Sequence, residues 1–315
     1  MSALTPLIAS WIAGALLLLL DGRRRSVAAL AVFVLGAVLT LDLVLLAAGG
    51  TAEVVAGGWP AGVGIRLRID RGSLAFAALS TFVLAVVMAH EARQRVLSRL
   101  FPAMLVTLCA ALHGAFFTAD LFDFYVFFEL CIVTSFGLSA YGYGKAEIRG
   151  ALTYVVVNLI GSVLFLVGIA SAYQVTGTLD VARIAAASRG GAELLVAAAL
   201  VFSGLSLKVG LFPFHAWAPV LYSHARPSIA AALAGALVNV GTYALVRFGF
   251  GMLDEARRSA SPLLVALGLL STLYGALVAM HRTRPAEIAA YASVAQAGYV
   301  VMALGIGGPH AIGAA

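Results

Sequence analysis

The chain alternates between long apolar runs and short polar connections along its whole length. A membrane-spanning helix needs about 20 mostly apolar residues. Ten stretches approach or reach that length, at residues 5–20, 26–48, 72–90, 100–118, 121–141, 150–174, 192–212, 227–249, 262–281 and 287–306. Turn-forming sequences separate them, among them Asp21-Gly22, Gly57-Gly58-Trp59-Pro60, Gly142-Tyr143-Gly144, Gly190-Gly191 and Ser261-Pro262. The pattern predicts an all-α polytopic membrane protein with about ten transmembrane helices.

The composition excludes an ordinary soluble protein. Of the 315 residues, 62% are hydrophobic and 11% are charged, and the mean hydropathy is +1.03. Soluble globular chains carry about 25% charged residues. Because the connections are all short, we expect a single transmembrane domain over residues 1–315 and no separate soluble domain.

The positive charges are better explained by membrane topology than by nucleic-acid binding. The net charge is +6, and alternate connections hold eleven Lys and Arg residues on one side against seven on the other. The positive-inside rule then places the N-terminus outside. No basic residue precedes the run 5–20, and Arg23, Arg24 and Arg25 follow it, so we expect a retained first span rather than a signal peptide.

Both cysteines, Cys109 and Cys131, fall inside apolar runs, where a thiol usually behaves as a small hydrophobe. Cys109 and His113 have helical i,i+4 spacing, but two residues are too weak a pattern for a metal site. The chain shows no cysteine cluster, Rossmann glycine pattern or haem motif. We therefore expect no metal and no other cofactor.

Glu129 and Lys208 are the central ionisable residues of the apolar runs. Counted from Leu121, Glu129 lies about 12 Å deep, and counted from Leu194, Lys208 lies about 21 Å deep, at 1.5 Å per residue. Intramembrane charges usually face a partner or a water-filled cavity, so both residues are candidates for ion translocation. The alternatives are a structural ion pair or a protonated, hydrogen-bonded carboxyl for Glu129, and snorkelling to the interface for Lys208.

Two further polar residues lie near this depth. Pro213 is expected to remove a helical hydrogen bond from the carbonyl of Val209, and His215 follows it as a group able to titrate near neutral pH. A solvated loop histidine is the alternative. Asn239 lies mid-span, about 17 Å beyond Ser228, and could either serve ion translocation or simply pack helices by a hydrogen bond.

Several polar residues near the ends of spans are possible accessory groups. Asp42, Asp120 and Asp123 could frame an outer entrance, although acids at helix ends more often act as caps or interfacial groups. Arg247 and His281 lie near span ends and could snorkel instead.

Four segments together resemble a known family. They are Asp120-Leu121-Phe122-Asp123-Phe124-Tyr125-Val126-Phe127-Phe128-Glu129-Leu130, the run from Lys208 to Pro219, the run from Gly235 to Arg247, and the run from Ala290 to Tyr299. They are similar to the fifth, seventh, eighth and tenth helices of the antiporter-like subunits shared by respiratory complex I and Mrp cation/proton antiporters. Gly57-Gly58-Trp59-Pro60, residues 158–162 and residues 173–180 resemble the Mrp D subunit most.

The resemblance implies a broken seventh helix within a truncated form of a fourteen-helix, inverted-repeat fold. It implies N-terminal helices over 1–98, a first repeat over 99–250 and the start of an incomplete second repeat over 251–315. It also implies a mid-membrane chain of ionisable residues and water in which Glu129 and Lys208 are a coupled acid/base pair. The implied partners are protons, Na⁺ and other small hydrophobic membrane subunits in a bacterial cytoplasmic membrane.

Two departures from the family keep other functions open. Asn239 stands where the family usually has a lysine, and an amide cannot carry a proton as a charged group does. The chain also ends after about ten helices, so it is either a fragment or a short variant that relies on neighbouring subunits. Beside the Mrp antiporter, the alternatives are a proton-pumping subunit of complex I or a membrane-bound hydrogenase, and a scaffold subunit that does not transport.

Overall fold

The computed structural model describes residues 3–58, 64–94, 96, 98–142, 144–187, 192–251 and 253–308. Some sequence features discussed above lie outside the described residues, namely Trp59-Pro60, Tyr143, Gly190-Gly191 and the C-terminal residues 309–315.

Helices account for most of the described chain, as predicted. Within the described ranges, the α-helices are α1 Thr5–Leu18, α2 Arg25–Ala48, α3 Arg71–Arg93, α4 Phe101–Phe117, α5 Leu121–Ser139, α6 Lys145–Thr176, α7 Val181–Ala187, α8 Ala192–Val209, α9 Trp217–His224, α10 Pro227–Ala232, α11 Val238–Gly251, α12 Asp254–Ser259, α13 Ser261–Met280 and α14 Pro285–Ile306. A π-helical turn, Leu233–Leu237, joins α10 to α11.

Seven of the described helical segments are long and apolar enough to cross a membrane. They are α2, α3, α5, α6, the segment Pro227–Gly249, α13 and α14. Three shorter apolar helices, in α1, α4 and α8, occupy the remaining predicted stretches. The prediction of an all-α polytopic membrane protein is therefore confirmed. The largest shift in a boundary is that α6 begins at Lys145 rather than at residue 150.

A β-hairpin that the hydrophobic pattern did not predict joins α2 to α3. β1, Ala52–Val55, pairs antiparallel with β2, Arg66–Ile69. Glu53 lies opposite Arg68 and forms ion pairs with both Arg66, at 3.4 Å, and Arg68, at 3.8 Å. The hairpin lies where α2 ends and α3 begins. We call this side of the two helices the hairpin side.

Contacts between Cα atoms divide the chain into two units. The first unit comprises Met1–Thr118, Val126–Leu152 and His224–Val240, and the second comprises Ala119–Tyr125, Thr153–Ser223 and Gly241–Ala315.

α4 forms the core of the first unit. Every residue of this helix is buried except Met104 and Thr107, and α4 packs against α1, α2 and α3. A helix that is apolar on all sides is expected to be fully enclosed. His113 is an ionisable residue on this otherwise mostly apolar helix, and it is buried in the core of the first unit.

Close helix packing characterises the second unit. Gly268, Gly275, Gly298 and Gly305 all lie against neighbouring backbone or side chains at the α13–α14 contact. Small residues allow two backbones to approach closely, which is how helices associate in a membrane, where no hydrophobic drive brings them together.

Candidate ion-translocation site

Lys208 is the second-last residue of α8, and 5% of its surface is exposed. Its Nζ donates a hydrogen bond of 2.9 Å to Oγ of Ser162 on α6. The two helices come close because Gly204 faces Gly161, so that a Cβ on Gly204 would lie 2.8 Å from the Gly161 carbonyl oxygen. Gly204 precedes Lys208 by one helical turn. The glycine contact therefore brings the lysine to Ser162.

Ser162 belongs to a polar row on α6. Its hydroxyl accepts from Lys208 and donates to the carbonyl oxygen of Asn158 at 3.0 Å. The Asn158 side chain is fully buried, and its Nδ2 donates to the carbonyl oxygen of Tyr154 at 2.9 Å. Among the described residues, Oδ1 of Asn158 and Oγ of Ser206 are buried without a hydrogen-bond partner. Buried polar atoms are normally paired, so these two suit a place where water or an ion binds.

The interrupted seventh helix is confirmed, but its cause differs from the predicted one. α8 ends at Val209, and Gly210 follows with a φ of +71°, which glycine adopts without strain. The prediction that Pro213 removes a hydrogen bond from the Val209 carbonyl is wrong, because Pro213 lies beyond the helix. Nε1 of Trp217 donates to the carbonyl oxygen of Leu207 at 2.8 Å, which ties α9 to the end of α8.

His215 lies in the turn between α8 and α9 and is buried among aromatic rings. Its ring centroid is 4.7 Å from that of Tyr274 on α13, 5.6 Å from that of Phe212 and 6.2 Å from that of Tyr291 on α14. With 8% of its surface exposed, it is not a solvated loop histidine. Its Nδ1 is another buried atom without a hydrogen-bond partner within the described part of the chain.

Asn239 is half-buried in α11, two residues after the π-helical turn ends. Its Nδ2 donates to the carbonyl oxygen of Gly235 at 2.7 Å and to Oγ of Ser80 on α3 at 3.4 Å. The helix-packing role considered for this amide is thus present. A π-helical turn is rare and frequently occurs at functional sites. The irregular backbone just before Asn239 is therefore compatible with a functional role for this amide.

Glu129 lies in the middle of α5 and is half-buried. Glu129 belongs to the first unit, whereas Lys208 belongs to the second. Their action as a coupled acid/base pair stays a prediction.

Asp120 immediately precedes α5 and acts as its cap. Its Oδ1 accepts hydrogen bonds of 2.9 Å from the backbone N–H groups of Phe122 and Asp123. Burial raises the pKa of Asp120, and the nearby carboxylate of Asp180 raises it further. Asp123 lies half-buried in the first turn of α5, where an acidic side chain is favoured by the helix dipole.

We expect Asp120→Ala to lower the free energy of unfolding by about 1 kcal/mol, because alanine cannot accept the two capping hydrogen bonds. Asp120→Asn is the matched control, since asparagine caps equally well and carries no charge beside Asp180. Because the folded-state pKa of Asp120 is raised, the native chain should gain stability relative to Asp120→Asn as the pH falls through that pKa. Thermal unfolding in detergent across acidic pH measures both effects, and equal stability of the two variants would contradict the cap.

The last two accessory candidates lie at the ends of spans. The guanidinium of half-buried Arg247 lies 5.9 Å from the centroid of the Tyr243 ring on the same helix. His281 is exposed just after α13, and its Nδ1 donates to the carbonyl oxygen of Leu277 at 2.8 Å. The surroundings of His281 fit the interfacial alternative.

The interpretation of Asp42 as an interfacial or capping acid is wrong. Asp42 lies within α2, is fully buried, and contacts His113 of α4. The i,i+4 pair of Cys109 and His113 is real. No group of three or more His, Cys, Asp or Glu residues within the described ranges could hold a metal ion.

Sequence reasoning also missed Glu91, which lies one residue beyond the predicted stretch 72–90. It is 1% exposed at the end of α3. Oη of Tyr141 donates to its Oε2 at 3.0 Å, and Oγ of Ser228 donates to its Oε1 at 2.6 Å. Asn158 and Ser162, by contrast, left a detectable signal, since two polar residues at i,i+4 spacing inside an apolar helix share one face.

Comparisons with known proteins bear directly on this site. The sequence profile described as NADH:quinone oxidoreductase/Mrp antiporter, TM, matches residues 118–315, which include Glu129, Lys208, His215 and Asn239. A Rhizobium meliloti protein named as the D subunit of a K⁺/H⁺ antiporter is 32% identical over 286 residues, which are 86% of this chain and 53% of the relative. The chain thus spans about half the length of this curated relative.

Two solved structures share the fold. The Mrp complex from Dietzia sp. DQ12-45-1b contains a chain with 26% identity and a TM-score of 0.86, with 98% of this chain and 58% of that chain covered. Respiratory complex I from Thermus thermophilus with bound NADH contains one with 28% identity and a TM-score of 0.84, with 98% and 66% covered. Since the profile covers more than half of its residues, the chain belongs to the NADH:quinone oxidoreductase/Mrp antiporter transmembrane family.

Proposed function

We propose that this chain is an ion-translocating subunit of an Mrp-type antiporter complex, exchanging protons for a monovalent cation. The observation that carries the proposal is the buried Lys208, held by Ser162 at the glycine contact between α6 and α8. A charged side chain deep in hydrocarbon costs about 2.5–3.5 kcal/mol on insertion scales. A scaffold would gain nothing from that cost, whereas a proton carrier needs a group that can change its charge.

The proposed route uses Glu129, Lys208, His215 and Asn239, with Asp120, Asp123, Arg247 and His281 as accessory groups. The unpartnered buried atoms of Asn158, Ser206 and His215 support a hydrated route through the second unit. At Asn239 the amide would orient water rather than carry a charge, since it can donate and accept hydrogen bonds but not titrate.

The proposed setting is a bacterial cytoplasmic membrane, with the N-terminus outside and with small hydrophobic membrane subunits as partners. The curated relative is named for K⁺/H⁺ exchange, and one structural neighbour is an Mrp complex. We propose Na⁺ as the cation. The second candidate function is a proton-pumping subunit of complex I or of a membrane-bound hydrogenase, which the likeness to the complex I chain favours.

Purification of the chain with its partners in mild detergent, followed by mass spectrometry, distinguishes these functions. We expect other small hydrophobic antiporter subunits to co-purify, and the isolated complex to exchange protons for Na⁺ after reconstitution. Recovery of iron–sulfur or flavin subunits would contradict the antiporter proposal and favour the redox complex. An exchange specific for K⁺ would contradict only the choice of Na⁺ as the cation and would leave the antiporter proposal standing.

A further inference from the structure

Asp42 and His113 form a buried ionisable pair that the proposed route does not use. They are 71 residues apart in sequence, on α2 and α4 of the first unit. Nε2 of His113 lies 3.1 Å from both Oδ1 and Oδ2 of Asp42. The side chains are 1% and 0% exposed. Two titratable groups in direct contact inside an apolar core are costly to desolvate and are kept mainly where they serve a function.

The hydrogen bonds of the histidine fix the position of one of its protons. Nδ1 of His113 lies 2.8 Å from the carbonyl oxygen of Cys109, and a carbonyl oxygen can only accept. Nδ1 therefore keeps its hydrogen in every state of the pair. A second proton lies either on Nε2, which gives an imidazolium beside a carboxylate, or on Asp42, which gives a neutral imidazole beside a carboxylic acid. Both arrangements have no net charge.

Thr81 of α3 is a further hydrogen-bond partner of Asp42. Its Oγ1 lies 3.2 Å from Oδ2 of Asp42 and 2.8 Å from the carbonyl oxygen of Ala77. When Asp42 is protonated on Oδ2, it donates to Thr81, and the hydroxyl donates to Ala77. When the second proton has left, the hydroxyl turns and donates to the carboxylate instead. Oδ2 of Asp42 thus has a hydrogen-bond partner in Thr81 in both protonation states, which lowers the cost of changing between them.

The pair lies towards the hairpin side. Asp42 is about 9 Å from the end of α2, and His113 is about 6 Å from the end of α4, at 1.5 Å per residue. Leu67 in the hairpin bridges to Thr118 after α4, so both helix ends are on that side. Asp70 caps α3 at its hairpin end, where Ser73 completes the capping box. Thr81 is buried about two helical turns further along α3.

Other ionisable groups of the helices packed around the pair are few. α1 has none, α2 adds Arg25 at its start, and α4 adds Cys109, whose Sγ lies 3.6 Å from both Thr81 Oγ1 and His113 Nδ1. α5, whose Phe127 packs against Gly114 of α4, adds Asp123, Glu129 and Cys131. α3 has Arg71 in its first turn and His90, Glu91 and Arg93 in its last turn. β2, which contacts α4, adds Arg66 and Arg68. All the cations of these elements are therefore at helix ends or in the hairpin.

We propose that Asp42 and His113 form a proton-binding site that exchanges one proton with water on the hairpin side. Release breaks one N–H or O–H bond, transfers the proton to water, and leaves the pair with one negative charge. Rebinding from water restores the neutral pair. That this proton is used in transport rests on the proposed function, whereas the binding of the proton does not.

Infrared difference spectroscopy of the intact complex in lipid, on a change of pH, tests the site without requiring transport. We expect a pH-dependent band of Asp42, from its carboxylic-acid C=O or from its carboxylate, that is lost in Asp42→Asn and retained in Glu129→Gln. Thr81→Val, which keeps the shape of the side chain but removes the hydroxyl, should keep the band and shift its frequency. An identical set of bands in the native complex and in Asp42→Asn would overturn the proposal.

Ion flux in reconstituted vesicles separates this inference from the proposed function. If the pair serves transport, Asp42→Asn should change the pH profile of flux, with its midpoint shifted by about one pH unit or more, since an opposite charge at this distance has effects of that size. Ser10→Ala, a change at another buried polar residue of the first unit, should leave the profile unchanged. A native complex that shows the band but exchanges no cation would support the site while contradicting the antiporter proposal.

Discussion

Replacement of Glu129 by glutamine is expected to abolish proton-coupled cation flux while the complex still assembles. Glutamine preserves the size of the side chain and its capacity to form hydrogen bonds, but it cannot bind and release a proton. Loss of a proton-transfer group typically costs a factor of about 100 or more in rate. The measurement is Na⁺-driven proton movement in everted membrane vesicles, followed with a pH-sensitive dye.

Glu287→Gln is the matched control for this change. Glu287 lies in the first turn of α14, where it pairs with Arg282 at 3.7 Å and with Arg284 at 3.8 Å. Partly exposed ion pairs contribute little, so flux should remain near the native level. Normal flux in Glu129→Gln, with normal assembly, would remove the Glu129 carboxyl from the mechanism.

Removal of the Lys208 side chain is the second change with a large expected effect. Lys208→Ala eliminates the buried ammonium that Ser162 holds at the contact of α6 with α8. The proposed route then has no lysine, because the chain contains only Lys145 and Lys208. We expect flux to fall by a factor of about 100 or more, as measured by ²²Na⁺ uptake driven by a pH gradient.

The chain offers a matched control in its other lysine. Lys145 is exposed at the start of α6, and Lys145→Ala makes the same chemical change outside the buried site. Its flux should match that of the native complex. If Lys208→Ala and Lys145→Ala gave the same flux, the ammonium would have no part in translocation and the scaffold alternative would be favoured.

The sequence predicted the helices well because a bilayer requires long apolar segments with internally satisfied backbones. It also singled out Lys208 and His215 as candidates, since ionisable residues stand out against an apolar background. Both are buried, and their role in translocation stays a prediction. The reason for the break after α8 was misjudged. Pro213 seemed the obvious helix breaker, but Gly210 ends the helix first by adopting a left-handed conformation.

Contacts between distant helices could not be predicted from the pattern. Asp42 and His113 are 71 residues apart, and counting residues gives depth along a helix but not which neighbour a side chain faces. The same holds for Glu91, which meets Tyr141 and Ser228 only through tertiary packing. The hairpin was missed because its strands have only four residues each, and although Arg66–Ile69 alternates charged and apolar residues, Ala52–Val55 does not.

The most direct test of ion translocation through this chain is a parallel flux measurement on the reconstituted complex. Proton movement driven by Na⁺ is measured for the native complex, Glu129→Gln, Lys208→Ala and Lys145→Ala, with equal assembly verified for each. We expect exchange in the native complex and in Lys145→Ala, and none in the other two variants. Native-level exchange in both Glu129→Gln and Lys208→Ala would contradict translocation through these residues.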